Sequence, residues 1–246
     1  MARPRVILLH GTRFDAREWD GYAEACPTVD VVTIDLPGHG TRHGEVWSLD
    51  AATEAVRSEV DRARAAGLPV VVAGHSLGGY VGACYAEAHP ASLDGLVLIG
   101  ATADPTRHPA LARVYSGFAA PLPRVGPQRM ARFANGVMRG LGAQGPLPDE
   151  SGYAVTPDAW APIMARARVD QLTGVRCPVF LMAGQFDQMR LDLCAYADAC
   201  SQAYTRIIPR ASHLAPLTHR AEVAAALRTA IHQSTGSISA LSPRGR

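Results

Sequence analysis

The sequence predicts an α/β fold: a mostly parallel sheet of about six strands with helices on both faces. Short, uninterrupted apolar runs recur along the chain, for example at residues 5–10 and 70–73, and such runs are typical of fully buried strands. Helical patterns separate these runs, and strands that alternate with helices are typical of parallel sheets. Because ligands bind beyond the carboxyl ends of the strands in such sheets, the residues that follow each strand are the first candidates for a functional site.

The composition is that of an ordinary globular enzyme. The chain has 246 residues, enough for one sizeable core or for a core with a small inserted lobe. Hydrophobic residues make up 48% and charged residues 19%, and the net charge of +2 indicates neither a nucleic-acid partner nor an anionic membrane. All 24 basic residues are arginine, which excludes Schiff-base chemistry on a lysine side chain.

Five cysteines are scattered along the chain, and none belongs to a C-x-x-C pair. That pattern favours reduced thiols in the cytoplasm over a framework of disulfides. The apolar run at the N-terminus is short and flanked by Arg3 and Arg5, so no signal peptide is expected. No apolar stretch approaches the roughly 20 residues that a membrane-spanning helix needs. We therefore expect a cytoplasmic protein without a membrane span.

The first two predicted strands are each followed by a turn-rich segment. Residues 5–10 open the sheet, and the polar loop at 11–21 has Phe14 and Trp19 as apolar anchors beneath it. A second buried strand at 29–35 ends in the turn signal Leu-Pro-Gly-His-Gly. His10 and Asp35 therefore lie at the carboxyl ends of the first two predicted strands, where ligands bind in such sheets.

The next helix and strand lead into a sharp turn at Ser76. Asp50 can cap a helix that extends to about Ala66, and its apolar side is formed by Ala52, Ala55, Val56, Val60 and Ala63. A buried strand at 70–73 then turns abruptly, through the sequence Gly-His-Ser-Leu-Gly, into a helix that begins with small residues. This turn places the Ser76 hydroxyl at the tip of a strained bend, and the glycines on either side leave room for so tight a chain.

The alternation breaks after a fourth strand at 93–100 and resumes at Cys177. Three helical patterns lie between them, and we predict that they form a helical lid over the carboxyl edge of the sheet. The first holds Leu111, Val114, Tyr115 and Phe118; the second runs from Pro127 to Gly142; the third begins at Thr156-Pro157 and carries Trp160, Ile163, Met164 and Ala167.

The sheet then returns with two further strands. The predicted elements are a strand at 177–183, a helix to about 202, a strand at 205–208 and a last helix from 218. The predicted domains are an α/β core at 1–103 and 171–233, a lid at 104–170 and a disordered, Ser- and Gly-rich tail at 234–246.

Ser76 has candidate partners at two later strand ends. A serine hydroxyl becomes an effective nucleophile when a base removes its proton and an acid holds that base in the right tautomer. Asp187 lies just past the strand that ends at 183, and His213 lies just past the strand that ends near 209. We therefore predict a triad with Ser76 as nucleophile, His213 as general base and Asp187 as orienting acid. Asp104, at the end of an earlier strand, is the alternative acid.

Four segments resemble the motifs of the α/β-hydrolase family: Leu-His-Gly at 9–11, Asp-Leu-Pro-Gly-His-Gly at 35–40, Gly-His-Ser-Leu-Gly-Gly at 74–79 and Ser-His-Leu at 212–214. They occur in order, each at a strand end, and the resemblance covers nearly the whole chain. It implies the order Ser76, Asp187, His213 for the triad. It also implies an oxyanion hole formed by the backbone amides of Thr12 and Leu77.

Apolar side chains near these motifs are candidates for a substrate pocket. The stripe Met130, Phe133, Val137 and Met138 on the second lid helix allows two interpretations: packing between lid and body, which is the commoner use, or an acyl-binding wall. The candidate substrate-binding residues are Phe14, Met130, Phe133, Met138 and Leu214, while the lid arginines Arg124, Arg129, Arg132 and Arg139 are expected to face solvent.

No cofactor is expected. No cysteine or carboxylate completes a metal-ligand set around the nine histidines, and no glycine-rich phosphate loop is present. His10 and His75 resemble family positions that support the loops around the site.

The resemblance implies a serine hydrolase that cleaves a small-molecule carboxylic ester, thioester or lactone through an acyl-enzyme. Ser76 argues against the relatives that open epoxides or remove halide, because those use an aspartate nucleophile. Tyr80 follows the Gly-Gly pair where menaquinone-pathway lyases tend to carry arginine, which weakens the lyase interpretation. A small-molecule receptor with a slow triad, a lyase, a C–C hydrolase and an acyltransferase remain as alternatives.

Overall fold

Six strands form one parallel sheet in the order β2-β1-β3-β4-β5-β6, which confirms the predicted fold class. The structure is a computed structural model that describes residues 3–108 and 122–236. The strands are β1 (Arg5–Leu9), β2 (Asp30–Ile34), β3 (Val70–His75), β4 (Gly95–Ile99), β5 (Val179–Gly184) and β6 (Ala203–Ile208).

Helices connect successive strands and cover both faces of the sheet. Over the described residues the α-helices are α1 (Tyr22–Ala25), α2 (Leu49–Ala65), α3 (Leu77–Ala88), α4 (Leu122–Val125), α5 (Pro127–Gly140), α6 (Glu150–Arg166), α7 (Leu193–Ala199), α8 (Ala215–Thr218) and α9 (Arg220–Thr235). Single 3-10 turns occur at Ala16–Trp19, Gly40–Arg42, Val169–Leu172 and Gln188–Arg190.

Two apolar cores lie on opposite faces of the sheet because successive side chains of a strand point to opposite sides. In β3, Val72 packs into the core formed with α2, α3, α6 and α7, whereas Val71 packs into the core formed with α1 and α9. All six residues of β3 are buried. The central strands are therefore held rigidly, and the loops at their carboxyl ends start from fixed points.

Two elements in the first half differ from the predictions. The second strand is not buried: β2 pairs only with β1, and none of its residues is fully buried, because it is an edge strand with no neighbour on its other side. Helix α2 is capped by Ser48, whose side chain accepts a hydrogen bond from the Ala51 amide at 3.0 Å, so Asp50 is its second residue rather than its cap. The predicted buried face of this helix is correct at Ala52, Val56, Val60 and Ala63.

Helices α4, α5 and α6 stand between β4 and β5, in the segment predicted to be inserted. Helix α5 begins at Pro127 as predicted, but α6 begins at Glu150, six residues before the predicted start. The Asp149 carboxylate accepts the amides of Ser151 and Gly152 and begins the helix there, while Pro157 lies inside it. The predicted helical pattern from Leu111 to Phe118 lies outside the described residues.

No helix within residues 3–108 and 122–236 is both long enough and apolar enough to cross a membrane. The five cysteines all lie in those ranges as free thiols. Helix α9 continues to Thr235, and residues 237–246 of the predicted tail lie outside the described part of the chain.

Candidate active site

Ser76 is the single residue between the end of β3 and the start of α3, at the turn that the sequence predicted. Its backbone has a φ of 50°, in the left-handed region that a non-glycine residue rarely adopts. A hydrogen bond of 2.8 Å from the Ser76 amide to the Ile99 carbonyl ties this turn to β4. The strained conformation is thus held by the neighbouring strand, and it leaves the side chain at the carboxyl edge of the sheet.

Two glycines make the turn possible by letting backbones approach. A Cβ atom at Gly74 would overlap the backbone of Gly78, and a Cβ atom at Gly78 would overlap the carbonyl of Leu9. The sequence spacing Gly-x-Ser-x-Gly therefore reflects two close backbone contacts, one across the turn and one with the end of β1.

The structure brings Ser76, His213 and Asp187 together. Ser76 Oγ lies 3.0 Å from His213 Nε2, and His213 Nδ1 lies 2.9 Å from Asp187 Oδ1. Asp187 also accepts the Met189 amide at 2.8 Å, which fixes the orientation of the carboxylate. The imidazole is thus hydrogen-bonded on one side to a hydroxyl and on the other to a buried acid.

Asp187 is buried, yet its carboxyl stays ionised to a lower pH than usual. Burial raises the pKa of Asp187, but the facing His213 ring and the Met189 amide lower it by more, so the net pKa lies below the ordinary value. A carboxylate that stays ionised can accept the Nδ1–H of His213 and so hold the ring with Nε2 towards Ser76.

The alternative acid, Asp104, has other partners. Its carboxylate accepts the amide of Thr106 at 2.8 Å and the amide of Val169 at 3.0 Å, and its own amide donates to Asp192. Asp104 thus links the residues that follow β4 to the residues that follow α6. Asp187, not Asp104, is the carboxylate bonded to His213.

A cavity of about 450 Å³ opens above Ser76. Most of its walls are apolar. They come from the loop after β1, from α5 and α6, and from the loops after β5 and β6. The lining residues are Gly11, Thr12, Arg13, Phe14, His75, Ser76, Phe133, Ala134, Val137, Met138, Pro148, Trp160, Gln188, Met189, His213 and Leu214.

Four of the five candidate substrate-binding residues line this cavity: Phe14, Phe133, Met138 and Leu214. Met130 does not; it packs instead against Ala131 and Tyr153. The packing interpretation of the α5 stripe is wrong for Phe133 and Val137, which are 73% and 49% exposed, because α5 turns this face towards the cavity opening. It is correct for Met138, which is buried against Phe14 and Leu217. The arginines of α4 and α5 face solvent as predicted.

Of the two residues expected to form an oxyanion hole, Leu77 follows Ser76 directly and Thr12 lines the same cavity as Ser76. Leu77 is the first residue of α3, so its amide has no acceptor within the helix and points out of the helix N-terminus. The Gly78 amide donates to the His10 carbonyl at 3.1 Å, which ties this helix end to the loop that carries Thr12.

Sequence reasoning missed several cavity residues, of which Arg13 is the most distinctive. Its backbone has a φ of 77°, and its guanidinium carbon lies 5.2 Å from the centre of the Tyr153 ring. Burial lowers the pKa of Arg13, although contact with Tyr153 partly opposes the effect. A positive φ at an arginine and a contact with α6 leave no periodic signal in the sequence, so only the fold reveals this placement.

A second missed group lies next to His213. The sequence identified His75 as a residue that supports the loops, but not its partner Glu18, which lies 2.6 Å from it and is 2% exposed. Within residues 3–108 and 122–236, no group of three or more His, Cys, Asp and Glu side chains is arranged to hold a metal ion.

Comparison with known proteins identifies similar chains. The model of the family described as "Alpha/beta hydrolase family" matches residues 6–226. Curated relatives include a lipase, LipV, of Mycobacterium tuberculosis (35% identical over 96 residues) and a pimeloyl-[acyl-carrier protein] methyl ester esterase of Aromatoleum aromaticum (36% over 101 residues). A 2-succinyl-6-hydroxy-2,4-cyclohexadiene-1-carboxylate synthase of an Enterobacter species is 34% identical over 98 residues.

These sequence matches are partial. They cover 39%, 41% and 39% of this chain, in the order given above, and 36%, 38% and 37% of the relatives, so the chain aligns with little more than a third of each relative.

Solved structures match over nearly the whole chain. A thermophilic esterase from Thermogutta terrifontis has a TM-score of 0.70 at 24% identity, and the match covers 94% of this chain and 90% of the esterase. MenH from S. aureus has a TM-score of 0.75 at 18% identity, with 95% of both chains covered. At these identities the likeness shows a common fold.

Proposed function

Because the chain belongs to the alpha/beta hydrolase family, we propose that it is a serine hydrolase that cleaves a carboxylic ester, thioester or lactone through an acyl-enzyme intermediate. The observation that carries the proposal is the position of His213, with Nε2 3.0 Å from Ser76 Oγ and Nδ1 2.9 Å from Asp187 Oδ1. A hydroxyl, a base and an acid in this arrangement are what nucleophilic attack by serine needs.

In the first half of the proposed reaction, Ser76 Oγ attacks the substrate carbonyl carbon while His213 Nε2 takes the hydroxyl proton. Asp187 holds the ring orientation and stabilises the imidazolium that forms. When the tetrahedral intermediate collapses, the imidazolium gives its proton to the leaving alcohol or thiol. The acyl group then remains on Ser76.

The negative charge that develops on the carbonyl oxygen needs hydrogen-bond donors. We assign this role to the amides of Thr12 and Leu77, which belong to the two segments that meet at Ser76. One such donor typically lowers the barrier by about 3 kcal/mol. In the second half of the reaction His213 takes a proton from water, the resulting hydroxide attacks the acyl-enzyme, and Ser76 leaves with the proton.

The cavity supports an apolar acyl group as the preferred part of the substrate. Its volume of about 450 Å³ is within the range typical of small-molecule sites, and Phe14, Phe133, Val137 and Met138 give it an apolar wall. Flexible methionine side chains suit chains of variable shape. We assign the acyl chain to this wall.

The segment between β4 and β5 is assigned the role of a lid, with 104–170 as its bounds and the rest of the chain up to residue 233 as the core. Helices α5 and α6 supply cavity residues in this segment. Such a lid would cover the bound acyl chain and set the substrate range.

A series of p-nitrophenyl esters from acetate to laurate, together with lactones, tests this proposal. We expect turnover that varies with acyl length and that Ser76→Ala abolishes, while circular dichroism of the variant is unchanged. Turnover of all these substrates by Ser76→Ala at the wild-type rate would contradict the proposal.

A second candidate function is a lyase reaction started by proton abstraction. The similarity to proteins named as 2-succinyl-6-hydroxy-2,4-cyclohexadiene-1-carboxylate synthases favours it. Tyr80 weighs against it, because the side chain is 1% exposed and its hydroxyl bonds to the backbone of Ala103 instead of facing the cavity. Reaction in ¹⁸O-water separates the two: a hydrolase places one ¹⁸O in the acid product, whereas a lyase incorporates none.

A further inference from the structure

A buried acid–base pair lies directly behind the three residues assigned to the reaction. His75 is the last residue of β3, and Glu18 lies in the 3-10 turn at Ala16–Trp19. Glu18 Oε1 is 2.6 Å from His75 Nδ1, and the two side chains are 0% and 1% exposed. Neither residue has a role in the reaction steps described above, although the rings of His75 and His213 lie only 4.9 Å apart.

The partners of this pair belong to the two loops that build the site. The other carboxylate oxygen of Glu18 accepts the Gly11 amide at 2.6 Å, and His75 Nε2 lies 2.9 Å from the His213 carbonyl oxygen. Three hydrogen bonds thus run from Gly11, next to Thr12, through Glu18 and His75 to the backbone of His213. A Cβ atom at Gly11 would stand 2.8 Å from His75 Nδ1, so this path also requires glycine there.

The geometry determines how many protons the pair holds. Both ring nitrogens of His75 face oxygen atoms, one of a carboxylate and one of a carbonyl, and a neutral imidazole has only one N–H. The Nε2 proton is donated to the His213 carbonyl, and a second proton lies between Nδ1 and Glu18. Burial alone lowers the pKa of His75, but the Glu18 carboxylate and the two hydrogen bonds raise it by more, a direction that favours the proton on the ring.

We propose that Glu18 and His75 are positioning residues: a buried, ionised pair that fixes the loop of the oxyanion amide at Thr12 against the loop of His213. The inference rests on the proposed function. Glu18 does not line the cavity, so it acts through Gly11 and His75 and not on the substrate. A misplacement of about 1 Å between reacting groups can lower a rate about 100-fold.

Two substitutions of Glu18 separate the effect of its hydrogen bonds from the effect of its negative charge. Glu18→Ala removes both hydrogen bonds, and we expect kcat to fall about 100-fold with KM changed less than about twofold. Glu18→Gln keeps the bonds, because the amide oxygen accepts from Gly11 and the amide nitrogen donates to Nδ1 of a neutral His75. We expect this variant to keep at least about one-tenth of the wild-type kcat.

Asp35→Asn is the matched control. Asp35 holds the same loop, since its carboxylate accepts the Ala16 amide at 2.7 Å, but its other hydrogen bonds are to Thr41. If Glu18→Ala lowered kcat only by loosening this loop, Asp35→Asn should lower kcat equally. We expect Asp35→Asn to retain the wild-type kcat and KM.

The protonation state is measured without substrate, by ¹⁵N NMR of the histidine rings at about pH 7. We expect both nitrogens of His75 to carry protons in the wild type and in Asp35→Asn, and only Nε2 in Glu18→Gln. This readout stands even if turnover by Ser76→Ala were to overturn the proposed function.

Several outcomes would overturn the positioning role. They are a singly protonated His75 in the wild type, a Glu18→Ala kcat within about threefold of wild type, an effect on KM alone, or an equal loss of kcat in Asp35→Asn. An equal loss in Glu18→Gln and Glu18→Ala would do the same, because glutamine preserves the bonds. If Glu18→Ala does not fold, Glu18→Gln decides: a kcat below about one-tenth of wild type overturns the role.

Discussion

Asp187 and His213 are 26 residues apart in the sequence, yet Oδ1 of the acid lies 2.9 Å from Nδ1 of the imidazole. They meet because β5 and β6 are adjacent parallel strands, so the residues that follow the two strands emerge at the same edge of the sheet. Ser76 reaches the same place from β3, across β4. The architecture of the sheet thus assembles three side chains that no local sequence contact would bring together.

The identity of the acid can be tested by two matched substitutions. We expect Asp187→Asn to lower kcat about 10,000-fold, because the amide cannot hold His213 in the tautomer that accepts a proton from Ser76. We expect Asp104→Asn to lower kcat less than about tenfold, because its carboxylate is bonded to backbone amides away from His213. Steady-state kinetics on one ester decides between them, and the reverse ranking would assign the acid to Asp104.

Gly100 lies behind the Asp187–His213 pair, and its replacement offers a test of how tightly the pair must be placed. A Cβ atom there would stand 2.7 Å from Asp187 Oδ2 and 2.9 Å from His213 Nδ1. We therefore expect Gly100→Ala to lower kcat about 100-fold. Steady-state kinetics of the folded variant measures this effect.

Gly67 is the control for Gly100. The two residues have similar positive φ values, 59° and 68°, but a Cβ atom at Gly67 meets nothing within 4 Å. Gly67→Ala should destabilise the fold by about 1–2 kcal/mol through backbone strain and leave kcat unchanged. Equal kinetic effects in both variants would mean that strain, not displacement of the pair, is responsible.

The assignment of the acyl chain to the α5 wall predicts a length-dependent effect of Phe133. Phe133→Ala should lower kcat/KM for the octanoate ester about tenfold, which corresponds to about 1.4 kcal/mol of lost apolar contact, and leave the acetate ester nearly unchanged. Leu141 is similarly exposed, just past the end of the same helix, but it does not line the cavity. Leu141→Ala should therefore affect neither ester, and a loss on acetate as large as on octanoate would contradict the assignment.

His39 predicts a loss of stability in acid. It is fully buried, its Nδ1 donates to the Pro37 carbonyl, and burial together with the nearby His10 ring lowers the pKa of His39 to about 3. Since the unfolded chain binds this proton near pH 6.5 and the folded chain does not, stability falls as the pH drops below about 6.5. Between about pH 6.5 and 4.5 this one group should contribute a loss of about 2–3 kcal/mol.

Urea unfolding of the wild type and His39→Gln at about pH 7.5 and 4.5 measures this effect. The free energy of unfolding of the variant should fall less between the two pH values, by about 2–3 kcal/mol, because glutamine has no proton to bind. An identical pH dependence in both proteins would show that His39 titrates normally in the folded state.

Much of the site could be predicted from the sequence because its parts sit at strand ends. Buried strands such as β3 leave a continuous apolar run, and the sharp turn at Ser76 requires glycines at fixed spacing. Asp187 could be predicted because it follows such a run, β5, whereas His213 follows the exposed edge strand β6 and could be predicted from its Ser-His-Leu motif. These signals are local in the sequence, and the parallel sheet brings the residues that carry them to the same edge.

Features that depend on tertiary contacts could not be predicted in this way. The half-exposed state of β2 follows from its position at the edge of the sheet, which its apolar sequence does not reveal. The early start of α6 depends on a cap at Asp149 that outweighs two internal prolines. The pairing of Glu18 with His75 joins residues 57 apart, and an isolated glutamate in a polar loop gives no sign of burial.

Acylation of Ser76 is the step on which the proposed function depends, and capture of the acyl-enzyme tests whether it occurs. The protein is mixed with a p-nitrophenyl ester, quenched in acid within the first turnover and digested for mass spectrometry, with Ser76→Ala as the control. We expect one acyl group per chain on Ser76, in the peptide that contains residues 74–79, and none in the variant. An acyl group on another residue, or steady turnover by Ser76→Ala, would contradict it.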